Sequence, residues 1–160
     1  MNILAVSSAS KLALALAASA LVLSAGGCKN IDVRTEAYAT LAEAQAAGAV
    51  DRGWLPRGLP PGTRELRVAH DVDSNRRWGL FDFPPEQGDA LRTLVGPEIS
   101  FDGLECNPPG RIEWWPILLR QRLDGERIKA TRLQGYTARE GDLILAVNWA
   151  QGRAYYWSKE

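Results

Sequence analysis

The one segment that merits a metal argument runs from His70 to Asp82. Asp71, Asp73 and Asn75 stand at i, i+2 and i+4, and Asp82 falls at the twelfth place of the same frame. A calcium loop with this spacing needs glycine at its sixth position for the sharp turn and prefers a bidentate glutamate at its twelfth. Here Arg76 and Arg77 fill the sixth and seventh places, and two cations at the mouth oppose a divalent ion. The segment therefore reads as a hairpin turn whose Asp and Asn side chains satisfy turn amides, with calcium in another geometry as the alternative. The single histidine, His70, could pair with Cys106 as base and nucleophile, but nothing in the sequence marks an orienting third group or an oxyanion hole. One His and one Cys are half of a closed zinc site. No Gly-x-Ser-x-Gly elbow and no glycine run with phosphate-loop spacing occurs. Carboxylate pairs for glycoside hydrolysis meet only in space. The expectation is a protein without cofactor and without catalysis; an unrecognised hydrolase using scattered carboxylates is the alternative.

What the composition does single out is tryptophan. All six, Trp54, Trp78, Trp114, Trp115, Trp149 and Trp157, lie beyond residue 27. The plain account is an aromatic core, which lets a small domain bury large area. If 111–115 is a strand, however, Trp114 and Trp115 point to opposite faces, and the same holds for Tyr155 and Tyr156. Trp114, Trp115, Tyr155 and Tyr156, with Arg111 nearby, are therefore the candidate partner contacts. Trp54, between fixed turns, is expected to pin its loop to the core, an exposed aromatic platform being the alternative.

Those tryptophans belong to a domain that the N-terminal residues must deliver. Residues 1–27 hold a single charge, Lys11, and an apolar run from Leu12 to Ala25. Its 14 residues fall short of the roughly 20 needed to cross a bilayer, and small residues close it, as in a secretory signal peptide. The closing stretch Leu23-Ser24-Ala25-Gly26-Gly27-Cys28 resembles the lipobox of bacterial lipoproteins, although Ala25 stands where leucine is usual. The resemblance implies that Cys28 is acylated and becomes the new N-terminus; a plain cleavage site with an incidental thiol is the alternative. Two or more acyl chains anchor stably where one does so only marginally. Lys29 follows the cysteine, where aspartate would resemble an inner-membrane retention signal. The implied address is the outer membrane of a Gram-negative host, facing the periplasm. Cys106 is then the one thiol left in the mature chain, expected to be buried. The remaining 133 residues carry 18 basic and 19 acidic groups. That balance excludes a nucleic-acid binder, which needs a basic surface to displace counterions.

The elements that must position these residues follow from local pattern. Residues 28–35 read as a lipidated polar tether and 36–160 as one globular domain. Thr40-Leu41-Ala42-Glu43 is a capping box opening a short helix that Gly48 stops. Proline fixes 52–62 as an irregular connector. Period-two alternation predicts strands at 63–70 and 76–83, joined as a hairpin. On the second of them Trp78 and Leu80 oppose Phe81 and Phe83, so both faces must be covered. Residues 85–95 read as a second helix closed by Gly96-Pro97, and 98–110 as loop. Strands are predicted at 111–115, 128–133, 143–149 and 153–157; 117–123 is open between helical turn and strand.

The ordered series of helix, Gly48, Arg52-Gly53-Trp54-Leu55-Pro56, Leu59-Pro60, strand, His70-Asp71-Val72-Asp73-Ser74-Asn75 and the strand bearing Phe81 and Phe83 resembles the head domain of YbbD-type proteins. These are small bacterial envelope proteins, often lipoproteins, without an assigned activity. The resemblance covers residues 36–83, and the ending Tyr155-Tyr156-Trp157 is similar more loosely. It implies a small α+β fold, a mainly antiparallel sheet with two or so short helices, and supplies no catalytic residues. The functional expectation is a non-catalytic envelope lipoprotein that binds a protein or cell-wall partner. An inhibitor or immunity-type lipoprotein acting on a toxin or lytic enzyme is a special case of it.

Overall fold

In the computed structural model, residues 32–159 are described. The expected signal peptide, Cys28 and residues 28–31 of the expected tether lie outside them. Alternating sequence folds here into strands β1 (Val33–Thr40), β2 (Arg64–Asp71) and β3 (Arg77–Asp82), then β4 (Val95–Ile99), β7 (Gln134–Ala138), β8 (Leu143–Asn148) and β9 (Arg153–Ser158). These seven form one sheet in the order β1-β2-β3-β9-β8-β7-β4. Every neighbouring pair is antiparallel. A separate two-stranded ribbon pairs β5 (Glu105–Cys106) with β6 (Gln121–Arg122). Three short helices complete the chain: α1 (Leu41–Ala46), α2 (Gly88–Arg92) and α3 (Gly125–Lys129).

Helix α1 starts as its capping box dictates. The Thr40 hydroxyl accepts the Glu43 amide at 3.2 Å, and the Glu43 carboxylate accepts the amide of Ala39 at 3.0 Å, one residue before the cap. Gly48 follows with φ of 75°, the left-handed conformation that ends the turn. The β2–β3 hairpin forms as expected, with Val68 opposite Gly79 and Ala69 opposite Trp78.

Both faces of the sheet are covered, as the two-faced apolar pattern of β3 requires. One core gathers Leu66, Val68, Phe81, Phe83, Leu145 and Tyr156 beneath Leu41, Ala44 and Leu91 of α1 and α2. The other gathers Trp78, Ile144, Ala146 and Trp157 beneath Ile112, Trp115, Leu119 and Ile128.

Several expected boundaries move. Val33–Thr35, placed in the tether by sequence, begin β1, which pairs with β2 from Val33 opposite Asp71. This edge strand carries only Val33, Thr35, Ala37 and Ala39 on one face and Arg34, Glu36, Tyr38 and Thr40 on the other, so it has little apolar bulk for hydropathy to register, while its charges suit an exposed sheet edge. Gly96 and Pro97 continue β4 rather than closing a helix, and the helix they were to close shortens to α2 with a 3₁₀ turn before it. The expected strand at 111–115 is a succession of turns. The one expected at 128–133 is the end of α3 and a turn, because the Asp124 side chain caps the Arg127 amide at 3.1 Å. The undecided run 117–123 divides into a 3₁₀ turn and β6.

At Gly79 the absence of a side chain decides the packing. A Cβ there would lie 2.2 Å from the Tyr156 ring and hydroxyl. Gly79→Ala forces that ring aside, and overpacking of this kind costs about 2 kcal/mol. Urea denaturation is expected to show the loss, while Gly110→Ala, with nothing within 4 Å, leaves the midpoint unchanged.

Candidate functional site

The connector that follows α1 forms one wall of a cleft of about 480 Å³. Gly53 and Gly58 take φ of 74° and 77°, which lets the chain double back, and Leu55 and Leu59 bury themselves in the core. The connector is then tied to the sheet from below. The Tyr156 hydroxyl, on β9, donates to the Trp54 carbonyl at 2.7 Å. Complete burial pushes the Tyr156 phenol well above its ordinary range, so it remains a donor. Trp54 itself is half-buried, with the Arg52 guanidinium 4.0 Å from its ring centre and His70 stacked at 5.2 Å. It pins the loop as the sequence suggests, and its ring is already engaged by these two neighbours.

The opposite wall comes from the β7–β8 turn and the residues before β4. Arg139 donates from Nε to the Thr93 carbonyl at 3.1 Å and from Nη2 to the Val95 carbonyl at 3.3 Å. Arg77, at the start of β3, reaches Asp142 at 2.8 Å, while its Nε is buried without a hydrogen-bond partner. Arg57 stands exposed on the first wall. Leu55, Leu94, Leu143 and Leu145 supply the apolar lining between these guanidiniums, and Glu140 is the one carboxylate among the lining residues. The one lining hydroxyl, on Thr93, donates to the Ala90 carbonyl at 2.7 Å. The arrangement suits holding an anionic group attached to an apolar body, since guanidiniums bind carboxylate and phosphate oxygens in forked pairs.

The sequence-derived candidates go elsewhere. Trp115 and Tyr156 are buried, at 2% and 0% exposure, so both serve the core rather than a surface. The alternation argument for Trp114 and Trp115 fails because they sit in turns; their rings meet edge to face, 5.9 Å apart. Trp114 and Tyr155 are half-buried and both pack on Trp115, while Arg111 is exposed. Beside them Ile117 projects at 87% exposure. Trp78 and Trp157 are core.

Of the carboxylates that the calcium spacing singles out, Asp71 and Asp82 are committed locally, and Asp73 is exposed. Asp71 accepts the Ser74 hydroxyl at 2.6 Å and the amides of Asp73 and Ser74 at 3.0 and 3.4 Å, closing the hairpin turn. Asn75, at φ of 56°, meets His70 Nε2 at 3.0 Å. Asp82 holds Arg153 in a forked pair at 2.6 and 2.8 Å. Among the described residues no group of three metal-ligating side chains converges. Cys106 is buried in the core on one face of the sheet, while His70 stacks on Trp54 against the other, so the two do not form a pair.

Fold and cleft together define a small antiparallel-sheet domain with a ligand-sized recess at one end of the sheet. Residues 32–82 match the family model of the YbbD head domain, whose function is unassigned. The match takes in β1, α1, the cleft connector, β2 and β3, and so one wall with Arg57 and Arg77. No curated protein and no solved structure matches the chain.

Sequence reasoning passed over the cleft arginines. Arg77 is visible in the sequence only as a cation unfavourable to calcium, Arg57 has no local signal, and Arg139 joins them through pairing distant in sequence. Two measurements check the local account. Tyr156→Phe removes the tie to Trp54, and is expected to cost about 1 kcal/mol and to speed amide exchange in residues 53–58. For Asp71, the Ser74 hydroxyl first, then the two turn amides, hold the carboxyl below its usual range. A depressed pKa stabilises above the unfolded value near 4 and is lost as pH falls through the folded one. Asp71→Ala is therefore expected to be clearly less stable than wild type at pH 7, with the gap narrowing by pH 3 in urea titrations.

Proposed function

We propose that the protein is a non-catalytic binding module of the bacterial envelope, held at a membrane through lipid on Cys28. The observation that carries the binding role is the cleft, three guanidiniums around leucine side chains with a single carboxylate among them. Such a lining can grip an anion bearing an apolar group, whereas acid–base or nucleophilic chemistry needs paired, mutually oriented groups. The lipobox-like ending at Cys28 and the envelope setting of the family that the head segment resembles support the anchor. Among the described residues no helix is long and apolar enough to cross a membrane.

Two experiments test the proposal. Radiolabelled palmitate fed to cells is expected to label the protein and to leave Cys28→Ala unlabelled; an unlabelled wild-type chain overturns the anchor. For the cleft, calorimetry on the purified full chain in a non-ionic detergent is expected to show dodecyl phosphate binding with one-to-one stoichiometry. Arg57→Gln should weaken it about tenfold, or 1.4 kcal/mol. Binding unchanged in that variant, or absent from wild type, removes the cleft as the site.

A further inference from the structure

The strand register places the cleft at one particular end of the sheet. Val33, where β1 begins, is opposite Asp71 at the end of β2, and His70 is opposite Arg77 at the start of β3. Continuing across, Trp78 is opposite Trp157, Leu143 opposite Ser158, and Val95 opposite Ala138. The cleft residues Arg77, Leu94, Ala138, Arg139 and Leu143 therefore lie at the end of the sheet from which the chain leads back to Cys28.

Cys28 precedes Val33 by five residues, and five extended residues reach at most about 18 Å. An acylated Cys28 thus keeps this end of the sheet, and with it the cleft, close to the headgroups of the bilayer that holds the acyl chains. The same end carries Val72, which is 43% exposed on the hairpin turn and donates its amide to the Asp32 carbonyl at 3.1 Å. Asp142 is neutralised by Arg77, and Asp71 is turned onto its own loop. The charges left facing outward include Arg57, Arg139 and Lys159 against Asp73 and Glu140.

We infer that the cleft takes the headgroup of an anionic glycerophospholipid from the membrane that carries the anchor. Arg57 and Arg139 would grip the phosphate, and the leucine lining would receive the first part of an acyl chain. The inference rests on the binding role and lipid anchor proposed above, and names the ligand's source. It makes the domain a reader of the surface beside its own tether, with basic side chains and the lipid as the two signals that stable membrane attachment uses.

The test uses the full lipidated chain reconstituted through its own anchor. One set of vesicles is phosphatidylcholine alone, the other an equal mixture with phosphatidylglycerol. Amide exchange in residues 53–58 and 138–142 is expected to be about tenfold slower in the mixture, with β9 unaffected. Arg57→Gln, which alters an exposed side chain of the connector, should abolish the difference. Equal exchange in the two lipids, or slowing that survives Arg57→Gln, overturns the inference. Dodecyl phosphate separates the causes of failure. If it binds the cleft while phosphatidylglycerol has no effect, the cleft is a binding site for something other than this lipid; if neither acts, the binding role falls too. Failure of the chain to float with vesicles overturns the anchor.

Discussion

The contact on which the rest of the molecule depends is the passage of the Tyr156 ring over Gly79. No other residue at position 79 leaves room for it, because an added Cβ would occupy the space of the ring itself. The ring's place in turn fixes its hydroxyl beneath the Trp54 carbonyl, and this hydrogen bond is what sets the connector on the sheet. From that tie follow the burial of Leu55, the engagement of Trp54 by Arg52 and His70, and the wall of the cleft. A tyrosine that looks like a surface contact in the sequence is therefore the strut of the fold. Its buried phenol stays protonated, so the tie holds throughout the physiological pH range.

A seven-stranded sheet covered on both faces needs more apolar volume than a short domain ordinarily offers, and large aromatic rings supply it. On one face Trp115 meets Trp157 and Tyr155 edge to face, with Phe101 stacked on Trp157. On the other, Phe81 lies between Phe83 and Tyr156. Helices contribute little to this covering, being five or six residues each. Turns do much of it instead, held by side chains: the Trp115 indole donates to the Leu119 carbonyl at 2.6 Å, and Arg120 to the Ile112 carbonyl at 2.6 Å. Arg120 is thus a fastening of the lid over this core.

How much of this could be read from the sequence depends on whether a signal is local. The α1 cap, the β2–β3 hairpin and the last two strands each rest on side chains within a few residues, and all stand where local pattern puts them. Strand β1, at the sheet edge, offers only Val33 and two alanines on its less polar face, so alternation there is too weak to register. Strand β7 carries Gly135 as its second residue, where a Cβ would crowd the Ile99 carbonyl, and glycine reads as loop until that neighbour is known. Helix α3 is only five residues long, and its apolar Ile128 followed by Leu133 imitates a strand. The Asp124 cap was the local signal that distinguished them. The site was less legible than the fold, since Arg57, Arg77 and Arg139 come from the connector, the start of β3 and the β7–β8 turn, and owe their proximity to the sheet.

That assembly also explains why the matched head segment cannot by itself define what is bound. Residues 32–82 bring Arg57, Arg77 and Leu55, half of a recess. Arg139, Leu143 and Leu145 arrive from the strands beyond it, and Arg139 is held in place by carbonyls of Thr93 and Val95. The guanidiniums on the two walls are positioned by different elements, so the spacing between them is set by the β3–β9–β8 pairing and not by either wall alone. In the proposed binding role, selectivity for one anion over another would follow from that spacing, because a forked guanidinium contact is directional where a simple charge is not. A chain sharing only the head would inherit the loop, the Tyr-sized gap at the glycine and one arginine wall. What it gripped would be decided by the strands it placed opposite.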